Sequence, residues 1–437
     1  MLNKLLRILY YLSFAFLIYV LGALMLHFEL PPANYIKNAA EGMNAWDEQA
    51  NVSLYEQGEM QSAPTNEIDR KPTVMWNKQK ALFGFTLIID KSPKVIDLVD
   101  MRGRLVHRWN VDFKSIWPDP QHVKSNSMPV DVRAARAYPD GSLLIVLHGA
   151  GITPYGAGMV KLDINSKVIW TFDENAHHAL YVDNNNGEIY GLSQHLINSA
   201  PEGYQELKIP ALVDEVVRLN ADGKLINKVS IIGALISSGY GMALFRDGDS
   251  SSRRWDWVHA NSVMKLEPEI ADKFPMFEAG QVLVSLREPG MLAVLDMNKE
   301  TVVWAMHGPW RMQHDASFLP DGTIMLFDNQ GHKNTKKQYS RILIIDPETG
   351  KTVWNFIGSE EKPFNTAYSG AAQHLNNKNI LVSSSLQNNV FEITPSGEVV
   401  WDYQLAMTKL PYLRAYRYTP DEVPFLFDRP TRDRVSE

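Results

Sequence analysis

Short alternating runs of hydrophobic and polar residues recur along most of the chain. Each copy has an apolar strand, a polar turn that usually contains Asp, Asn or Gly, and a second strand that tends to close on Trp. Because tight turns favour these polar residues and Gly, each copy predicts a β-hairpin. Six copies occur, at residues 95–109, 158–170, 214–227, 291–304, 341–354 and 389–401. Asn227 takes the position of the Trp in the third copy, and His107 does so in the first.

A second hairpin pattern alternates with the first. It has a turn rich in Pro, Asn, Asp and Gly followed by a very apolar strand, at 136–147, 181–192, 318–327 and 375–384, with a longer version at 259–285. Two hairpins per repeat make a four-stranded antiparallel sheet. Six repeats predict an all-β fold, a six-bladed β-propeller over residues 79–410. Residues 411–437 are predicted to close the ring or cap its face.

The N-terminal region has a different pattern, an uncharged apolar run from Ile8 to Leu26. Its length is close to the ~20 residues that a helix needs to cross a bilayer. Lys4 and Arg7 precede the run, so the positive-inside rule places the N-terminus in the cytoplasm. The sequence thus predicts a transmembrane helix.

The predicted organisation is a single-pass anchor in the inner (cytoplasmic) membrane, with the propeller on the periplasmic side. Residues 1–28 form the anchor, and residues 29–78 form a polar tether ahead of the propeller. A cleaved signal peptide is the alternative for the apolar run, although the run exceeds the usual ~7–15 residues of such a peptide.

Composition restricts the possible chemistry. The formal net charge is −7, which offers no general attraction to nucleic acid, so no nucleic-acid partner is expected. The chain has no cysteine, which excludes disulfides, thiolate metal sites and cysteine nucleophiles. Any reaction must therefore use His, Arg, Tyr, Ser or carboxylate side chains. The oligomeric state is left open.

Three histidines occupy corresponding positions in different predicted blades. The first strand of each blade lines the central channel of a propeller, so its side chains meet those of other blades there. His314 lies at the start of such a strand in QHDASFLPDG, and His259 in DWVHANSV and His178 in HHALYVDNNNG correspond to it. Asn261 points to the same side of its strand as His259, and Arg287 ends the next strand.

The other histidines are assigned no central role. His374 is out of register with the three channel positions and is predicted to be a packing or surface residue. Four more lie in loops or after the hairpins, namely His148, His195, His307 and His332. Of these, His307 and the nearby Arg311 are candidates for the channel mouth.

Two alternatives to a histidine-based catalytic site are open. Three histidines are the ligand set of some catalytic zinc ions, but Asp315 is the one carboxylate in register, and a nearby guanidinium would repel a cation. The other alternative is a non-catalytic scaffold propeller that organises partners at the membrane, in which the histidines are incidental.

Several motifs together resemble the bacterial arylsulfotransferases. The resemblance covers about residues 80–420 and rests on HHAL, DWVHANSV followed by SLRE, QHDASFLPDG, and the C-terminal RAYRY. It implies a six-bladed propeller that moves a sulfuryl group from an aryl sulfate to a phenolic acceptor without a nucleotide donor. It also implies that one channel histidine is transiently sulfated. The expected partners are small molecules, an aryl sulfate and a phenol.

The resemblance assigns roles to residues at the matching motif positions. His314 is implied to be the nucleophile, and the catalytic group comprises His314, His259, Arg287 and His178. The implied substrate-binding positions are Asn261 and His177, with His177 also the less favoured alternative to His178. Neutral imidazole is a suitable nucleophile near pH 7. No cofactor and no metal are implied, and the chain has no P-loop motif for a phosphorylated nucleotide.

Overall fold

The structure is a computed structural model of the chain. It describes residues 72–90, 94–123, 130–149, 153–245, 255–330, 339–360, 362–405 and 413–427, and seven residues between 11 and 20. The chain divides into two compact units, Met1–Gln61 and Ser62–Glu437. In the first unit the seven described residues are helical, and the rest of the predicted span at 8–26 lies outside the described residues. Within the described part of the chain, no helix is both long and apolar enough to cross a membrane.

The second unit is the predicted six-bladed β-propeller, built from six antiparallel sheets. The strands of each blade are given from the channel outward. Blade 1 contains β25 (Leu413–Tyr418), β2 (Phe85–Asp90), β3 (Val95–Val99) and β4 (Leu105–Asn110). Blade 2 contains β5 (Val130–Ala137), β6 (Leu143–Gly149), β7 (Gly156–Leu162) and β8 (Val168–Phe172). Blade 3 contains β9 (Ala176–Val182), β10 (Ile189–Ile197), β11 (Ala211–Leu219) and β12 (Leu225–Ser230).

The remaining three blades follow in chain order. Blade 4 contains β13 (Ala260–Lys265), β14 (Val282–Leu286), β15 (Met291–Asp296) and β16 (Thr301–His307). Blade 5 contains β17 (His314–Phe318), β18 (Ile324–Asp328), β19 (Arg341–Ile345) and β20 (Thr352–Phe356). Blade 6 contains β21 (Ala371–His374), β22 (Ile380–Ser384), β23 (Asn389–Ile393), β24 (Val399–Gln404) and β1 (Thr73–Trp76).

Helical segments in this unit are short and lie between strands or after the last one. The α-helices are α1 (Phe113–Ile116), α2 (Ile231–Ser237) and α3 (Pro268–Ala271). The 3₁₀ turns are Gly241–Phe245, Pro420–Glu422 and Pro424–Leu426.

The ring closes through strands from both ends of the described propeller. β25 pairs antiparallel with β2 over its whole length, so the segment predicted to close the ring supplies the innermost strand of blade 1. β1 pairs with β24 and adds a fifth, outermost strand to blade 6. Because blade 1 takes its inner strand from residues more than 300 positions away, the channel is complete only after the C-terminal strand has docked.

The hydrophobic core is divided among the six contacts between neighbouring sheets. Each contact has its own cluster of buried side chains, such as Leu87 and Trp109 of blade 1 with Leu143 and Val160 of blade 2. Fully burying such a side chain stabilises the fold by roughly 1.5–3 kcal/mol. The alternating pattern therefore stabilises each sheet against both of its neighbours.

The polar turn and the closing Trp of the repeated hairpin have separate structural roles. The Asp346 carboxylate accepts backbone N–H groups of its own turn, and hydrogen bonds from Thr349 and Glu348 hold the pKa of Asp346 below its usual value. The closing Trp forms a hydrogen bond to the next blade. For example, Trp401 Nε1 of blade 6 donates to the Met101 carbonyl of blade 1 at 3.0 Å. Asn227 Nδ2 donates to the Met297 carbonyl in the same way, which explains an Asn at a Trp position.

Candidate active site

The inner strands of blades 3 and 4 bring predicted site histidines into contact. His177 and His178 lie on β9, and His259 directly precedes β13. The ring centroids of His178 and His259 are 4.9 Å apart, and those of His177 and His178 are 5.0 Å apart. Residues separated by about 80 positions in sequence therefore form one imidazole cluster in the channel.

The backbone at these positions adopts a conformation that side chains rarely favour. His178, His259 and Asp315 have φ values of 55°, 46° and 52°, in the left-handed region. The pairing register of β9, β13 and β17 with the next strand shifts at or beside these residues. A non-glycine residue in this region costs on the order of 1–3 kcal/mol, and such strain concentrates at functional sites. The distortion points to a function for these strand ends.

His314 is held in one tautomer. Its Nδ1 lies 2.8 Å from the Met312 carbonyl oxygen and 2.7 Å from Asn329 Oδ1, and both partners are acceptors. The Asn329 amide is oriented by its own nitrogen, which donates to the carbonyls of Thr366 and Ser369. His314 Nδ1 must therefore carry the proton, which leaves the lone pair on Nε2.

The environment keeps His314 neutral. Burial lowers the pKa of His314 to about 3, and the positive charges of Arg287 and Arg414 add to this effect. The neutral imidazole is thus the dominant form at pH 7, with Nε2 available as a nucleophile.

His259 is paired with a buried carboxylate. Its Nδ1 lies 2.5 Å from Asp256 Oδ2, and its backbone N–H donates to Asp256 Oδ1 at 3.1 Å. Asp256 is 1% exposed, and the Tyr155 hydroxyl donates to its Oδ2 at 3.3 Å. A carboxylate at Nδ1 orients the ring and stabilises the imidazolium, so His259 Nε2 can act as an acid or base.

His177 and Asp214 support the cluster from inside the protein. The His177 side chain is fully buried, with Nε2 3.3 Å from Asp214 Oδ1 and Nδ1 2.8 Å from Nδ1 of His178. Burial raises the pKa of Asp214, which also accepts the backbone N–H of Ala260 at 2.7 Å. This position lets His177 orient His178, whereas the sequence predicts it as a substrate-binding residue.

His178 is the more accessible member of the predicted pair. Burial lowers the pKa of His178 well below its usual value. Nearby positive charge adds to this effect, and it comes from Arg133 and from the protonated forms of His259, His177 and His148. Because its Nδ1 faces His177 Nδ1, a neutral His178 keeps Nε2 for a further hydrogen bond.

Arg287 and Asn261 both lie next to the chain segments that carry the histidines. Arg287 is buried, its backbone N–H donates to the His259 carbonyl at 3.2 Å, and its Nε and Nη2 donate to Glu288 Oε1. Asn261 Nδ2 donates to the Gln313 carbonyl at 2.8 Å. Its buried Oδ1 has no hydrogen-bond partner among the described residues. Asn261 therefore connects β13 to the residue that precedes His314.

Several residues around the cluster carry no role in the sequence analysis. The assignment of His148 to a loop or post-hairpin position is wrong, because His148 lies on β6, with its ring centroid 4.7 Å from that of Tyr155 and 5.6 Å from that of His178. Arg133 Nη2 lies 3.4 Å from His148 Nδ1. The sequence offers no local signal for His148, Tyr155 or Arg133. For Asp256, the D-x-x-H spacing to His259 is a local signal that the two side chains can pair.

Other histidines lie outside this cluster. The assignment to a loop or post-hairpin position is also wrong for His195, which lies on β10, and for His307, which ends β16; both side chains are exposed. His374 is partly buried at the end of β21. His332 lies outside the described residues. Within the described ranges, no group of three or more His, Asp or Glu side chains has the arrangement of a metal site.

The fold and the site together define an enzyme-like propeller, with oriented imidazoles and guanidinium groups in its central channel. A sequence profile described as arylsulfotransferase (ASST) matches residues 134–406, which is more than half of the chain. The chain belongs to this family and is an arylsulfotransferase-like enzyme, whose family implies small-molecule aryl substrates. No curated protein matches the chain.

Solved structures show distant likeness to the propeller. A protein of unknown function from Bacteroides caccae is 10% identical over 77% of this chain and 100% of its own, with a TM-score of 0.49. Virginiamycin B lyase from Staphylococcus aureus is 11% identical over 64% of this chain and 71% of its own, with a TM-score of 0.37. These likenesses bear on no question of function.

Proposed function

We propose that this enzyme transfers a sulfuryl group from an aryl sulfate to a phenolic acceptor through a sulfohistidine at Nε2 of His314. The observation that carries the proposal is the pair of acceptors at His314 Nδ1, Met312 O and Asn329 Oδ1. They hold the proton on Nδ1 and leave Nε2 as the nucleophilic nitrogen.

The proposed reaction has two displacements. In the first, the Nε2 lone pair forms a bond to sulfur while the bond between sulfur and the aryl oxygen breaks. The leaving phenoxide takes a proton from His259, whose imidazolium form is stabilised by Asp256. In the second, neutral His259 removes the acceptor phenol's proton, the phenolate oxygen bonds to sulfur, and the N–S electrons return to His314 Nε2.

Stabilisation of the transferring group is assigned to the surrounding donors. Like phosphoryl transfer, sulfuryl transfer passes through a loose transition state with charge on three outer oxygens, so positioned cationic donors supply most of the catalysis. Arg287 and His178 are proposed to bind those oxygens, with His177 orienting His178. Asn261 is proposed to bind substrate through its Oδ1 while its amide nitrogen holds the Gln313 carbonyl. The proposed reaction requires no cofactor.

The test is the intact mass of the protein after brief mixing with 4-nitrophenyl sulfate. A gain of one SO₃, about 80 Da, is expected for the wild type and not for His314→Asn. His374→Asn is the matched control, because His374 lies on the inner strand of blade 6 but outside the imidazole cluster. Turnover without any mass gain, or an equal gain in His314→Asn, would remove His314 as the nucleophile. A folded wild type with neither turnover nor mass gain would favour the scaffold alternative.

We also propose that the run from Ile8 to Leu26 anchors the enzyme in the inner membrane, with the propeller on the periplasmic side. Its length, its lack of charge, and Lys4 and Arg7 ahead of it support this. Protease added to intact spheroplasts should degrade the propeller of the full chain. Protection of the propeller until the membrane is permeabilised would contradict the proposed orientation.

A further inference from the structure

Arg414 links the ring-closing strand to two other blades across the channel. It is the second residue of β25 and is 9% exposed. Its Nη1 donates to the His178 carbonyl of blade 3 at 3.4 Å, and its Nη2 donates to Asp315 Oδ1 of blade 5. One guanidinium thus contacts the inner strands of blades 3 and 5 from blade 1.

The carboxylate that Arg414 holds sits directly after His314. Asp315 has a φ of 52°, and the pairing of β17 with β18 changes register between His314 and Ser317. Both carboxylate oxygens are used, because Oδ2 accepts the backbone N–H of Ala372 in blade 6 at 2.8 Å. These two contacts stabilise a strained backbone conformation, and that conformation sets the direction of the His314 side chain.

The charge of Arg414 also acts on the nucleophile. It is one of two arginines that help burial to lower the pKa of His314, and the other is Arg287. Asp315 compensates Arg414, and Glu288 compensates Arg287. Two arginines, each in an ion pair with a carboxylate, therefore lie near His314. Each can stabilise negative charge that develops during transfer.

We propose that Arg414 is a positioning residue for the proposed nucleophile, holding His314 in line through Asp315, so that the ring-closing strand completes the catalytic site. This inference rests on the proposed function. The sequence analysis assigns no role to Arg414, although RAYRY is one of the motifs that carry the resemblance.

Arg417 provides a matched structural control on the same strand. Its guanidinium forms a fully buried ion pair with Glu392 of blade 6, at 3.0 Å, and also donates to Thr86 Oγ1. Arg417 therefore closes the ring without contacting the imidazole cluster. A loss of activity that follows from weaker ring closure alone should appear in Arg417→Lys as much as in Arg414→Lys.

The experiment measures the single-turnover rate of His314 sulfation by 4-nitrophenyl sulfate, together with the melting temperature. Arg414→Met should lower the sulfation rate by about 100-fold, the size expected for a misplacement of about 1 Å. Arg414→Lys should recover part of the rate, since it restores the positive charge but cannot donate to the His178 carbonyl and Asp315 from two separate nitrogens. Asp315→Asn combined with Arg414→Met should be no slower than Arg414→Met alone, because both residues act through one contact.

A pH profile separates positioning at the nucleophile from general stability. Removing Arg414 leaves Asp315 uncompensated beside His314 and should raise the pKa of His314. The acid-side fall in sulfation rate should then move to higher pH in Arg414→Met and stay in place in Arg417→Lys.

The outcomes distinguish this inference from the proposed function. Absence of sulfohistidine in the wild type contradicts the proposed function itself. Wild-type sulfation with an unchanged rate and pH profile in Arg414→Met contradicts only the role of Arg414. A rate loss that tracks the melting temperature equally in the Arg414 and Arg417 variants would also overturn it, since Arg414 would then act through ring stability alone.

Discussion

Nδ1 of His314 lies 2.7 Å from Oδ1 of Asn329, and the Asn329 amide nitrogen is bound by two backbone carbonyls. Asn329 directly follows β18, whereas the carbonyls belong to Thr366 and Ser369 in the segment before blade 6. The tautomer of a channel histidine is therefore set by chain segments from two blades. This arrangement makes the role of Asn329 testable.

Asn329→Leu should slow sulfation of His314 by about 10²–10⁴-fold, the range seen when a catalytic histidine loses the partner that orients it. The measurement is single-turnover sulfation followed by mass, with circular dichroism to confirm folding. Asn186→Leu, at an exposed turn asparagine, is the control and should leave the rate unchanged. An unchanged rate in Asn329→Leu would show that the tautomer does not depend on this amide.

Asp256→Asn should affect donors according to their leaving groups. Without the carboxylate, His259 stabilises a proton poorly, and a poor leaving group needs that proton most. With phenyl sulfate, whose phenol has a pKa of about 10 like Tyr, the sulfation rate should fall by about 10²-fold or more. With 4-nitrophenyl sulfate the fall should be about tenfold or less. Equal losses with both donors would argue against His259 as the acid.

The free energy of unfolding should decrease as the pH is lowered, partly because of His314. The folded-state pKa is about 3 and the usual value is 6.5, so between these limits the unfolded chain binds the extra proton and stability rises with pH. From pH 7.5 to 5.5 this group alone removes about 1.4 kcal/mol. Urea unfolding of His314→Asn should show a pH dependence weaker by about this amount, whereas exposed His307→Asn should not. Identical slopes for His314→Asn and the wild type would contradict the neutral, buried imidazole.

The ion pair of Glu392 and Arg417 should be costly to break. Both side chains are fully buried, and Glu392 also accepts from the Leu82 backbone and from Asn379. Glu392→Gln should therefore lower the free energy of unfolding by about 3–5 kcal/mol, because the buried Arg417 charge loses its partner.

The exposed pair of Lys80 and Glu398 provides the comparison for that measurement. Glu398→Gln should cost no more than about 1 kcal/mol, since water screens an exposed pair. Urea denaturation of both variants measures the difference. Similar costs would show that burial does not control the strength of the Glu392 pair.

The repeated hairpins made the fold predictable. Each hairpin depends on contacts between residues close in sequence, and its Asp-containing turn and alternating strands are visible in the chain itself. Six copies were enough to predict six sheets, which the structure confirms. The positions of His178, His259 and His314 at the starts of inner strands followed from the same repeat. Asn227 was recognised as an exception to the Trp pattern, but its bond to the next blade was not.

The partners of those histidines could not be predicted in the same way. Asn329, Asp256, His148 and Arg414 become neighbours of the site only when the sheets are arranged around one axis. A polar side chain in a loop has no periodicity that reveals its partner, and Arg414 reaches its place only through ring closure. Similarly, the left-handed backbone at Asp315 depends on contacts from blades 1 and 6.

By itself, the sequence determined the repeat, the six-bladed architecture and the corresponding strand positions of His178, His259 and His314, because these follow from short-range pairing and side-chain alternation. The tertiary structure alone decided how those histidines are oriented and which arginines flank them. The physical reason is that tautomers, pKa values and side-chain directions depend on groups within a few ångströms in space, and here those groups come from different blades.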